Sequence, residues 1–171
     1  MKWFFTPTLF AFILILISGC KQNSDDQSSQ LETNKAVVMR AWEEGFNQGN
    51  KDVIKEVFDE SYVESSPYET YEPSGIQRVL EADEWMKSVF GDLHFDVEQM
   101  VAEGDFVVSR AMATGVHIGE FAGVEATCNP VRFAVVVISK VSNGKIVQDW
   151  SFVDTMEILK QIGNVKVTPK D

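Results

Sequence analysis

Cysteine is nearly absent from this chain: Cys20 and Cys128 are the only two in 171 residues, too few for a disulfide framework, so the fold must stand on its core. Histidine is as scarce, with His94 and His117 alone, and no cluster of His, Cys and Asp has the spacing of metal ligands. No Gly-rich phosphate loop and no nucleophile elbow is present, so neither a metal nor a cofactor is expected. Basic residues are outnumbered, 15 Lys and Arg against 26 Asp and Glu, for a formal net charge of -11. Phosphate backbones are held by clustered Lys and Arg, so nucleic acid is excluded as a partner, and the acidic surface suits a small-molecule or protein partner. Long apolar runs are also lacking: the longest, Trp3 to Ile17, is too short to be a comfortable membrane span.

What is present is a globular composition, 44% apolar and 11% aromatic, in a length suited to one domain. Residues 1–19 read as a targeting segment, with Lys2 as the positive n-region and Trp3 to Ile17 as the apolar h-region. The run ends in Ile17-Ser18-Gly19-Cys20, which resembles the bacterial lipobox. The resemblance implies a lipoprotein signal peptide, a lipidated Cys20 and a membrane anchor, hence a place in the cell envelope. Lys21, not the aspartate that retains lipoproteins at an inner membrane, favours an outer membrane if the cell has one. Cys128 is then left without a partner and reads as a small hydrophobe near a loop. Residues 20–30 complete the anchor with a polar stretch, KQNSDDQSSQ, of tether composition.

The domain is expected over residues 31–163, with a tail over 164–171. Val37, Val38, Ala41, Trp42, Gly45 and Phe46 form one helical stripe, and Asn50 is placed to cap a second, short helix with Val53, Ile54, Val57 and Phe58 inward. Trp42 suits either the core or a pocket wall. Tyr62-Val63-Glu64 reads as a short strand, Ser65 to Gly75 as a loop, and Ile76 to Phe90 as a third helix. Period-two alternation then takes over through four strands, with Gly104-Asp105 and Asn143-Gly144 as turns. Helices first and strands after give an α+β domain, a curved antiparallel sheet wrapped by three N-terminal helices.

The closing stretch Asn143 to Gly163 carries the strongest chemical signal. Simple alternation places Ile146, Gln148, Trp150, Phe152 and Asp154 on one strand face, directly before a short helix patterned by Met156, Ile158, Leu159 and Ile162. An acid follows two aromatic rings on that face. Desolvated between them, Asp154 would be a general acid/base; as the first residue before a helix, with Glu157 three positions on, it would be a cap.

The order of NKAVVMRAWEEGFNQGN, DLHFDVEQMVAEGDFVV, ATGVHIGEFAGVEAT and VRFAVVVISKVSNGKIVQDWSFVDTMEILKQIG resembles the SnoaL-like family of polyketide and ester cyclases. That family belongs to the cone-shaped superfamily of nuclear transport factor 2 and ketosteroid isomerase. The resemblance implies a cone with an apolar pocket and cofactor-independent cyclase or isomerase chemistry on a small carbonyl compound. It implies Asp154 as the acid/base, with Trp150 and Phe152 as pocket walls. His117, in the family-like segment Thr114 to Phe121, would stand at the pocket mouth or make a structural hydrogen bond. Glu64 would fill a polar pocket position near which many relatives carry His or Asn, or lie on an exposed strand. His94 is read as solvent-facing. A non-catalytic module for a hydrophobic ligand, and a homodimer through the sheet, are the alternatives that the same pattern leaves open.

Overall fold

The computed structural model describes residues 19–65, 72 and 74–163. The expected leader up to residue 18, most of the loop between residues 65 and 75, and the tail from residue 164 lie outside the described residues. Helix α1, Gly19–Arg40, already includes Cys20 and the polar stretch read as a tether, so helix begins well before Leu31. Serine, glutamine and aspartate are only weakly unfavourable in a helix, and composition alone does not forbid one. No helix among the described residues is long and apolar enough to cross a membrane.

After Arg40 the helix widens into π-type winding over Ala41–Asn47. Such turns recur at functional sites, and this one carries Trp42 and Phe46. Helix α2, Lys51–Val57, is capped by Asn50, whose side chain accepts from the backbone N–H groups of Asp52 and Val53. Strand β1, Phe58–Ser65, and helix α3, Ile76–Val89, follow. Strands β2 (Phe90–Glu103), β3 (Phe106–His117), β4 (Pro130–Ser142) and β5 (Lys145–Val153) lead to helix α4, Thr155–Gln161.

The five strands form one sheet in the order β1-β5-β4-β3-β2. The expected meander of β2 to β5 is antiparallel throughout, but β1 pairs parallel to β5, so the sheet is mixed and not purely antiparallel. The reason is the crossover: everything from α3 to β4 lies between the two strands, and β1 returns to the edge that β5 leaves open. Asn143 and Gly144 both take positive φ, 51° and 74°, the backbone of a two-residue hairpin turn matched to strand twist. Register shifts within β2, and between Lys140 and Val141 against β5, bend the sheet.

The concave face buries Val107, Ala111 and Ala113 of β3 and Phe133, Val135, Val137 and Val141 of β4. The helices close over it with Val38, Ile54, Val57 and Val79. Asn47 ties the π turn to the sheet by two bonds of 2.8 Å to the backbone of Phe95, donating to its carbonyl and accepting from its N–H. Gln161 does the same for α4, with its amide on both backbone groups of Arg132 at 2.7 and 2.8 Å.

Candidate functional site

The helices do not fill the cone. Between α3, the π turn, β1 and the concave sheet lies a cavity of about 800 Å³. One wall is a chain of aromatic rings: Phe95 lies 5.0 Å from Trp42, Trp42 5.7 Å from Phe46, Phe46 6.1 Å from Phe58, and Phe58 5.1 Å from Tyr62. Phe90, Phe121 and Trp85 form a second aromatic group on the cavity, with Trp85 about half exposed. Trp42, buried, donates its indole N–H to the Ser109 hydroxyl at 3.1 Å, which fixes the ring as part of that wall.

The polar end of the cavity is Asp149. This carboxyl is buried, accepts a bond from the Tyr62 hydroxyl at 3.3 Å on Oδ2, and has no hydrogen-bond partner for Oδ1 among the described residues. Desolvation pushes its pKa up to about 7, and the neighbouring Glu64 carboxylate pushes the same way. The Tyr62 bond, and the polarity of the Ser139 hydroxyl opposite on β4, oppose the rise. Burial and the adjacent Asp149 raise the Tyr62 phenol well above the ordinary tyrosine range, so it stays a donor. Glu64 stands directly opposite Asp149 in the β1 and β5 register and is held by Arg78 of α3 at 2.6 Å. Asp83 also lines the cavity, paired with Lys87 at 2.8 Å.

Asp149 was not among the expected site residues, and the cause is one residue of register. Val141 faces Ile146 but Lys140 faces Gln148, so Val147 is an extra residue that breaks the alternation. Ile146 points inward, and past the bulge the inward positions become Asp149 and Ser151. A slip of one residue exchanges the two faces of a strand. Trp150, expected in the pocket, therefore lies on the outer face, 6.3 Å from Phe106.

Phe152 does line the cavity, at its exposed rim. Asp154 is exposed, caps α4 by accepting from the Glu157 backbone N–H at 3.0 Å, and lies in a shallow recess with Met112 and Arg132, apart from the main cavity. Glu64 and Trp42 are both on the cavity wall. His117 is fully buried, off the cavity lining, with Nδ1 bonded to the Thr127 hydroxyl at 3.0 Å. The Thr127 N–H also points at Nδ1, at 3.3 Å. His94 is exposed, and Cys128 is an exposed loop residue with φ of 58°, not a packed hydrophobe. Among the described residues no group of His, Cys, Asp and Glu could hold a metal ion.

A twisted sheet closed by helices around one cavity with a buried acid defines a class of cone-shaped α+β proteins. More narrowly, the model of the SnoaL-like polyketide cyclase family matches residues 36–162, and the chain belongs to that family. Among solved structures, AclR from Streptomyces galilaeus, a proposed hydroxylase, superposes with a TM-score of 0.73 at 24% identity, over 82% of this chain and 91% of that one. TsrD from Streptomyces laurentii gives 0.68 at 20% identity, over 78% and 97%. IdmH from Streptomyces antibioticus, a proposed polyketide cyclase, gives 0.66 at 28% identity, over 76% and 98%. No curated protein sequence matches the chain.

Proposed function

We propose that this protein is a cofactor-independent acid/base enzyme, a cyclase or isomerase of a small apolar carbonyl compound, with Asp149 in the part that the sequence pattern offered to Asp154. One observation carries the reading: a buried carboxyl on the wall of an aromatic cavity, with one oxygen fixed by Tyr62 and the other free of protein partners. A carboxyl held near pH 7 divides between acid and base at neutral pH, the condition for taking a proton alpha to a carbonyl and returning it elsewhere. Tyr62 holds Oδ2, and the carboxyl, on the cavity wall, is the group that exchanges the proton with the ligand. The family membership and the proposed cyclase IdmH support the same reaction class.

Proton abstraction can be tested before the substrate is identified. Incubated in D₂O with 2-acetylnaphthalene, the full chain should accelerate deuterium uptake at the methyl group, followed by NMR. Asp149→Asn should lower that rate by about 100-fold, the lower end for a general base, and Asp154→Asn should leave it unchanged. Undiminished exchange in Asp149→Asn would refute the assignment.

Two further parts of the reading rest on other observations. Lys2, the apolar run and Ile17-Ser18-Gly19-Cys20 support lipid anchoring at Cys20, tested by mass spectrometry of the mature N-terminus against Cys20→Ser. A row of apolar residues crosses the outer sheet face, Val101, Val108, Ile138 and Trp150 in direct cross-strand register, and supports a homodimer through that face.

A further inference from the structure

The aromatic wall and Asp149 form one continuous surface, and its chemistry admits a second class of ligand. From Phe95 to Tyr62 each ring lies within 6.1 Å of the next, all on the cavity, and Tyr62 hands over to the carboxyl through its hydroxyl. Ring faces attract cations, most strongly where water is excluded. An ionised carboxylate on the wall of the same cavity completes the recognition of an ammonium group by a charge-assisted hydrogen bond. We propose that the cavity is also a receptor for lipophilic aromatic amines, the ring system lying along the wall from Phe95 to Tyr62 and the ammonium donating to the Asp149 carboxylate.

The charges facing Asp149 agree with a cationic head. From β1 come Glu64 and the neutral phenol of Tyr62; β4 offers only the Ser139 hydroxyl; α3 brings Arg78, already held by Glu64, and Asp83, already paired with Lys87. An ammonium would therefore meet a carboxylate whose neighbours leave no net positive charge. A carboxylate ligand would meet Asp149 and Glu64 side by side, and is rejected. An amine seated in this way holds Asp149 ionised and blocks the position a ketone would occupy, which makes it an inhibitor of the proposed chemistry. The inference rests on the cavity and carboxyl of that proposal, but requires no reaction there.

Calorimetric titration of the full chain at pH 8 with 2-naphthylmethylamine and with 2-naphthalenemethanol tests it, since the two probes share a body and differ in the charge of the head. The amine should bind at least about tenfold more tightly, the combined scale of a desolvated cation–π contact and a charge-assisted bond. Asp149→Asn should bring the two within about twofold while the alcohol still binds. In the unaltered chain, the amine should weaken by about tenfold or more between pH 8 and pH 5 as Asp149 gains its proton, and the alcohol should not; this measurement decides even if the variant fails to fold. Equal affinities, an amine preference that survives Asp149→Asn, a flat pH profile for the amine, or no binding of either probe would overturn the proposal. Amine binding without deuterium exchange in the ketone would refute the acid/base reading alone, and exchange without amine preference would refute the receptor alone.

Discussion

Replacing Asp149 by Asn should make the protein more stable at pH 8 and leave it nearly unchanged at pH 4. The carboxyl ordinarily titrates at 3.8 and is pushed up to about 7 by burial in the fold. Between those values the native state keeps a proton that the unfolded chain has released, so stability falls as pH rises through the window. Each unit of the difference corresponds to about 1.4 kcal/mol, and the whole interval to about 4 kcal/mol by pH 8. Asparagine is close in shape to the protonated acid, still accepts from Tyr62, and has no charge to bury. Urea unfolding of both chains from pH 4 to pH 8, analysed with a common m-value, gives the two profiles. The reference chain should lose stability relative to the variant by up to about 1.4 kcal/mol per pH unit, with the divergence concentrated between pH 4 and pH 7. Carboxylates remote from Asp149 are common to both chains and cancel in the difference, leaving Asp149 and its coupling to Glu64. Parallel profiles, or a variant no more stable at pH 8, would show that Asp149 is neither desolvated nor shifted, and the acid/base reading would fall with it.

Two other substitutions separate proton handling from architecture. Tyr62→Phe removes the bond to Asp149 Oδ2; it should cost about 1 to 3 kcal/mol at pH 8, where the acceptor is ionised, and less at pH 5, read from the same unfolding curves. Asp154→Ala removes the cap of α4 and should cost about 1 kcal/mol in stability with deuterium exchange in the folded protein preserved.

The order of elements was legible because each left a local mark. Asn50 caps α2 by the bonds its side chain predicts, and Asn143-Gly144 forms the turn that its positive φ angles require. Glu64, Trp42 and Phe152 all lie along the cavity, but Phe152 reaches it at the exposed rim and not by the alternation that proposed it. What escaped were relations between segments. Nothing in Tyr62-Val63-Glu64 announces a parallel partner far downstream, and no local signal marks Val147 as the extra residue. The bulge moved the buried acid from the end of β5 to its middle, and gave the outer face the tryptophan meant for the cavity. The remaining clue was Asp149 itself, a charged residue within an apolar strand beside Trp150, which becomes informative once strict alternation is given up.

The pairing of the first strand with the last has a consequence for when the site exists. Tyr62 and Asp149 are separated by 87 positions, and the elements between them must be placed before the two meet. Contacts of such separation form late, because closing a long loop costs entropy that shorter-range contacts do not. A nascent chain that ends before β5 has α1 to α3 and most of its sheet, but neither Asp149 nor α4. The proposed chemistry would therefore wait for the last strand to be made, the one that brings Asp149 to Tyr62 and completes the polar end of the cavity.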